Sequence, residues 1–114
     1  MPVTAVSGSA SGIGAAVCQA LRAAGHRVIG IDRANAEVIA DLSSAGGRQA
    51  AISAVLLQSA GVLDGLVCCA GVGSSAMSET IVSVNYFGVS ELLDGLADAL
   101  AKGGIDRRQR VRRC

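Results

Sequence analysis

Aromatic residues are nearly missing from this chain of 114 residues, which has one Tyr, one Phe and no Trp. No platform for stacking bases or sugar rings can be assembled from that inventory, so a single-stranded nucleic-acid binder of the stacking type is excluded. The core must instead be Val, Ile, Leu and Ala, the mixture of parallel strands covered by helices. Histidine is as scarce, at one residue, and Cys18, Cys68, Cys69 and Cys114 show no CxxC spacing, so no metal site is expected. These cysteines read as reduced thiols in a cytoplasmic setting. The first ten residues lack a basic stretch followed by a long apolar one, and no signal peptide is expected. No apolar run approaches the ~20 residues needed to span a bilayer, so no membrane partner is expected either.

Charge is unevenly spread. The formal net charge is +1, yet Arg107, Arg108, Arg110, Arg112 and Arg113 supply five of the ten basic residues. The chain through Asp106 is acidic, and its composition breaks at Gly103-Gly104. The remainder matches neither helix nor strand periodicity, so we divide the chain into one folding unit, residues 1–102, and a non-native or disordered basic tail, residues 103–114. A functional tail would hold anionic partners such as RNA or phospholipid. The acidic body argues against that, and no nucleic-acid partner is expected.

The apolar half of the composition (51%) alternates between two periods. Pro2 to Val6 is a β-branched run. Ile13, Ala16, Val17, Ala20, Leu21 and Ala24 then repeat at helical spacing from about Gly12 to Ala24, with Gly25 as terminator. Val28 to Ile31 reads as a second strand, and Glu37 to Leu42 as a third, although Glu-Val-Ile-Ala could also start a helix. A helix over about Gly47 to Ser59 has Ala51, Ile52, Val55 and Leu56 inward. Leu63 to Ala70 holds a fourth strand, apolar on both faces. After Gly71 to Ser78, a long helix over about Thr80 to Lys102 carries Val82, Tyr86, Val89, Leu93, Leu96 and Leu100. Alternating strand and helix predicts an α/β three-layer fold with a parallel sheet, cut short after about four strands. The fourth strand would then be an exposed apolar edge, open to self-association.

The strongest chemical signal is Gly8-Ser9-Ala10-Ser11-Gly12-Ile13-Gly14, between the first strand and the first helix. Gly8 permits a tight turn, Gly12 a close backbone approach to a pyrophosphate, and Gly14 close packing of helix on sheet. Free N–H groups and the helix dipole then face the phosphates. A glycine-rich turn without a ligand is the bland alternative. Asp32 closes the second strand, where a carboxylate accepts ribose hydroxyls and repels a 2′-phosphate, which favours NAD over NADP. Arg33 beside it could contact such a phosphate, and a solvated strand-end carboxylate is the plainer reading of Asp32.

These residues resemble the short-chain dehydrogenases/reductases. Ser7-Gly8-Ser9-Ala10-Ser11-Gly12-Ile13-Gly14 is similar to that family's Thr-Gly-x-x-x-Gly-x-Gly loop, and Asp41-Leu42 to the acidic-apolar pair that touches adenine. Cys68-Cys69-Ala70-Gly71 stands where the family has Asn-Asn-Ala-Gly, with thiols for both Asn. Asn85, in Val84-Asn85-Tyr86-Phe87-Gly88, resembles the Asn of the catalytic tetrad. The short spacing from Gly71 to Asn85 is most like the bacterial 3-alpha-hydroxysteroid dehydrogenase/carbonyl reductase branch.

The resemblance implies four strands in the Rossmann-type order 3-2-1-4 and an NAD(H) site made by Gly8, Ser11, Gly12, Ile13, Gly14, Asp32, Asp41, Leu42, Ala70 and Gly71. It implies interconversion of a secondary alcohol and a ketone, a small carbonyl or alcohol substrate (a steroid or another carbonyl compound), and a homo-oligomeric full-length parent. The family's chemistry also needs a Ser and a Tyr with a Lys four residues on. Here the one Tyr, Tyr86, is followed at that distance by Ser90, and the one Lys is Lys102. Asn85 alone represents the catalytic set, and the chain by itself is expected to be inactive. The rival reading is a non-catalytic nucleotide-binding or interaction module.

Overall fold

The computed structural model describes residues 1–71, 83–103 and 111–113. Its centre is a parallel sheet of five strands: β1 (Val3–Ser7), β2 (Arg27–Asp32), β3 (Val38–Ile39), β4 (Gly65–Cys68) and β5 (Val111–Arg113). Their order is β3-β2-β1-β4-β5. Between the strands run α1 (Gly12–Ala23), α2 (Ala45–Gln58) and α3 (Gly88–Ala101), with a π-helical turn, Ser83–Phe87, leading into α3. No helix among the described residues is long and apolar enough to cross a membrane.

Side chains alternate across each strand, and that alternation divides the core in two. Ala5, Ile29, Leu66 and Cys68 face α2 and α3, whereas Val6 and Val28 face α1 and its Cys18. Leu92 and Leu96 of α3 are fully buried in the larger half, each contributing ~1.5–3 kcal/mol relative to an exposed position. On β1, Ser7 stands opposite Ile31 of β2 on one side and Cys68 of β4 on the other. The loops leaving these three strands therefore emerge together at one edge of the sheet. The strand order reverses at that point, which opens a crevice between diverging connections.

The α/β three-layer fold and the order 3-2-1-4 are as the sequence implies, with four differences of detail. The first is at the tail, where Val111–Arg113 extends the sheet on the far side of β4 (Leu66↔Val111, Val67↔Arg112, Cys68↔Arg113). Backbone pairing makes this strand and needs no alternating pattern; Val111 also packs on the core. β4 is thus interior and not the expected edge. Residues 104–110 and 114 of the tail lie outside the described residues.

Second, β3 is only two residues long, because Glu37 turns its side chain back and its Oε1 accepts the Gly30 N–H at 2.8 Å. Third, the buried face of α1 runs through Gly14 and Cys18 with Val17 and Leu21 half-buried, while Ile13, Ala16 and Ala20 face out. Alanines fit either face, so the tight approach of Gly14 to the β1 loop sets the rotation of this helix. Fourth, the long helix expected over Thr80 to Lys102 is a π-helical turn followed by α3, and it leaves Tyr86 64% exposed. Its first residues, 80–82, lie outside the described residues.

Cys18 and Cys68 are buried, and burial pushes the Cys18 thiol pKa up. Cys69, in contrast to the reduced thiol expected, is disulfide-bonded. The two neighbours face opposite ways: Cys68 points into the core, and Cys69 lines the crevice.

Candidate functional site

The crevice is a cleft of about 330 Å³ lined by the ends of β1, β2 and β4. Gly8, Ser11, Gly12, Ile13, Gly14, Asp32, Asp41, Leu42, Ala70 and Gly71 all border it. One glycine after β1 starts the site. Gly8 has φ +73, and a Cβ there would stand 2.6 Å from the Ala70 nitrogen and 2.7 Å from the Cys69 carbonyl carbon. The loops after β1 and β4 are therefore in direct backbone contact. Ser7 fastens them: its carbonyl accepts the Cys69 N–H at 3.0 Å and its hydroxyl the Ala70 N–H at 3.3 Å. These bonds hold the segment in which two cysteines replace the Asn pair of the resembling family.

Gly12 has φ +58 and nothing within 4 Å of a would-be Cβ, so its backbone faces open cleft. At Gly14 a Cβ would overlap the Gly8 carbonyl, and only glycine lets α1 start this close to the loop. Ser11 is the N-cap of α1, yet its side chain makes no capping hydrogen bond, and the first turn has no acidic residue. By contrast, the α2 N-cap Ser44 accepts the Gly47 N–H at 3.0 Å. The first turn of α1 thus presents its amides and its positive dipole end to the cleft, the arrangement that holds a phosphate.

Asp32 ends β2 with its carboxylate fixed against the glycine loop. Oδ2 accepts the Ala10 N–H at 2.9 Å, and Oδ1 accepts the Arg33 N–H at 2.7 Å. Asp41 is exposed, and its Oδ1 accepts both the Ser43 hydroxyl (2.7 Å) and the Ser43 N–H (2.9 Å). Those bonds, with the Arg33 guanidinium adding to them, hold its carboxyl below the usual range. Leu42 beside it is buried and supplies an apolar wall.

Asn85 sits in the π-helical turn, its Oδ1 3.2 Å from where a Gly71 Cβ would be. Its carboxamide thus lies beside the cleft's β4 wall, while its neighbour Val84 lines the cleft itself. Ile31, Arg33, Ala40, Ser43, Cys69 and Val84 complete the lining without having been singled out for it in the sequence, Arg33 apart. Ala40 and Ser43 flank Asp41-Leu42, so the loop's register was the available signal. The lining fits a dinucleotide: amides for the diphosphate, a carboxylate for ribose hydroxyls and apolar walls for adenine.

No family model matches the chain. The 3-alpha-hydroxysteroid dehydrogenase/carbonyl reductase of Comamonas testosteroni is 52% identical over 104 residues, which cover 90% of this chain and 40% of that protein. The crystal structure of the 3-alpha-hydroxysteroid dehydrogenase from Pseudomonas sp. B-0831, complexed with NADH, is 62% identical with a TM-score of 0.83, covering 90% of this chain and 43% of that one. A short-chain dehydrogenase/reductase superfamily protein from Agrobacterium tumefaciens with bound NAD is 27% identical with a TM-score of 0.66, covering 86% and 30%. The chain spans about two-fifths of the length of the curated relatives it matches. Shared sequence along 90% of the chain, with a matching fold, establishes that it belongs to the short-chain dehydrogenase/reductase family.

Proposed function

We propose that this cleft binds NAD(H) in preference to NADP(H), and that the chain is the cofactor-binding part of an oxidoreductase interconverting a secondary alcohol and a ketone. The observation that carries the reading is the open first turn of α1, with Ser11 not capping it, beside a carboxylate anchored at the end of β2. Ser11, Gly12, Ile13 and Gly14 would hold the diphosphate, with Gly8 shaping the turn before them. Asp32 would accept the ribose hydroxyls of the adenosine half. Leu42 would flank the adenine, with Asp41 beside it, and Ala70-Gly71 would line the passage toward the nicotinamide. The nicotinamide, when bound, gives or takes a hydride.

Selectivity follows from charge. A 2′-phosphate placed at Asp32 meets a carboxylate whose two oxygens already accept backbone N–H groups and cannot swing away without breaking them. Arg33 lines the same end of the cleft and offsets part of that repulsion. Steroids or other carbonyl compounds are the substrate class suggested by the relatives' names. Asn85 would help position a water near the reacting end.

No Tyr-x-x-x-Lys occurs in the chain, since Tyr86 is followed at that spacing by Ser90. A second reading that uses the same cleft is a nucleotide-binding module. Calorimetric titration with NADH and NADPH tests the shared premise. Tighter NADH binding is expected; equal or tighter NADPH binding would mean that Arg33 outweighs Asp32, and binding of neither would refute the cofactor reading.

A further inference from the structure

Arg48 is 7% exposed, on the inward face of α2 beside Ala51 and Ile52. A buried guanidinium is costly unless paired and hydrogen-bonded, so its partners indicate what it is for. Nε donates to Glu91 Oε2 of α3 at 2.9 Å, and Nη1 donates to the Leu42 carbonyl at 3.1 Å. Its guanidinium carbon also lies 5.7 Å from the centroid of the Phe87 ring, a cation–π distance. Leu42 is a wall of the cleft, and so is Val84 of the π-helical turn that Phe87 ends. One side chain therefore bridges the segment after β3 and the turn that carries Val84 and Asn85.

We propose that Arg48 is a positioning residue for the cofactor cleft: it fixes Leu42 relative to the π-helical turn and so sets the gap between Leu42 and Val84. This rests on the NAD(H) reading above and names a residue that itself lies outside the cleft lining. A π-helical turn is rare and has weaker intrinsic support than an α-helical one. Here its end is held by the ring contact with Arg48, and the start of α3 by Glu91 one turn further on. Without Arg48 the turn and the Asp41–Ser43 segment lose their common anchor, and the two walls move independently.

The physics of buried ion pairs separates this role from plain structural support. Replacing both partners with apolar residues of similar size leaves stability roughly neutral or improves it, whereas removing one partner is strongly destabilising. The double variant Arg48→Met/Glu91→Leu therefore keeps the α2–α3 contact while abolishing the bridge to Leu42. Arg48→Lys keeps the charge without the planar fork.

In the full chain, we expect the double variant to melt within a few degrees of the wild type. It should bind NADH roughly tenfold more weakly, within the range by which coupling contacts modulate a binding equilibrium. Arg48→Lys should fall between the two. Without cofactor, amide hydrogen exchange should accelerate at residues 41–44 and 83–88 in the double variant. A folded double variant with wild-type NADH affinity and unchanged exchange in both segments would overturn the proposal. If the wild type itself fails to bind NADH, the cofactor reading falls, and the exchange pattern still decides the role of Arg48.

Discussion

Two glycines two residues apart, Gly12 and Gly14, should fail in different ways when given a single methyl group. At Gly14 the new Cβ would overlap the Gly8 carbonyl, a backbone atom with no rotamer to escape into. Restoring van der Waals contact requires α1 or the loop to move by well over an ångström. Overpacking costs ~1–3 kcal/mol, and a clash with backbone belongs at the upper end. At roughly 4–8 °C per kcal/mol for a domain near this size, Gly14→Ala should lower the melting temperature by roughly 12–24 °C.

At Gly12 there is room for a methyl, and the penalty is conformational: an L-residue at φ +58 costs roughly 1–2 kcal/mol. The melting temperature should fall by roughly 4–16 °C, a third to two-thirds as much. Binding should suffer more, because the methyl points into the space where a diphosphate meets the amides. Losing one charge-assisted hydrogen bond, worth ~1.5–3 kcal/mol, weakens NADH binding roughly 10- to 100-fold. Gly46 of α2, with open space and ordinary φ, is the control, and Gly46→Ala should leave NADH binding unchanged. Circular-dichroism melts and NADH titrations on the three variants are the assay. A Gly12→Ala variant that is folded and binds NADH within twofold of wild type would refute the phosphate cradle. A Gly14→Ala variant that melts like the wild type would refute the close approach of α1 to the loop.

Asp32→Ala should narrow the NADH-over-NADPH preference, since it removes ribose acceptors and repulsion together; calorimetry with both cofactors reads the ratio, and an unchanged ratio would place the selectivity elsewhere. These 114 residues alone, which hold no Tyr-x-x-x-Lys, should not oxidise NADH with ketones, since a general acid contributes ~10²–10⁴ in rate; turnover by a preparation free of host reductases would overturn that. Asp41 should contribute to acid sensitivity. Its folded-state pKa is held below the ordinary 3.8 by Ser43, so its stabilisation is present above that value and lost as pH falls through the lowered one. Melting temperatures of Asp41→Asn should accordingly depend less on pH below about 4 than those of the wild type, and parallel profiles would remove Asp41 from the account.

The glycine loop and the alternation of strand and helix were legible because each follows from a local rule: special backbone angles at Gly8 and Gly12, and two distinct apolar periods along the strands and helices; the strand order came with the family resemblance. Arg48 was overlooked although its position was readable. It lies three and four residues before Ala51 and Ile52, on the face assigned to the core, and a charged residue there called for a partner. The rotation of α1 was ambiguous because alanines on both sides blur its apolar stripe. The fifth strand was illegible for a different reason: Val-Arg-Arg has no pattern, and only the ladder offered by β4 makes it a strand. The π-helical turn likewise leaves no periodic trace, since its five residues are too few to show one.

The pairing of β5 with β4 also bears on the order in which the chain assembles. Val3 meets Arg27 across a short stretch containing one helix, whereas Leu66 must wait for Val111, nearly twice as far along the chain. Each doubling of such a loop adds only ~0.6 kcal/mol of closure entropy, so distance alone is a small obstacle. The larger one is that β5 has no apolar stripe of its own and docks onto a surface that exists only after β1, β2 and β4 have aligned. During synthesis, the first three strands and α1 can condense while the last residues are still unmade. β4 then spends an interval with one side of its ladder bare, and that interval is when a neighbouring nascent chain has its best opportunity to pair in place of β5.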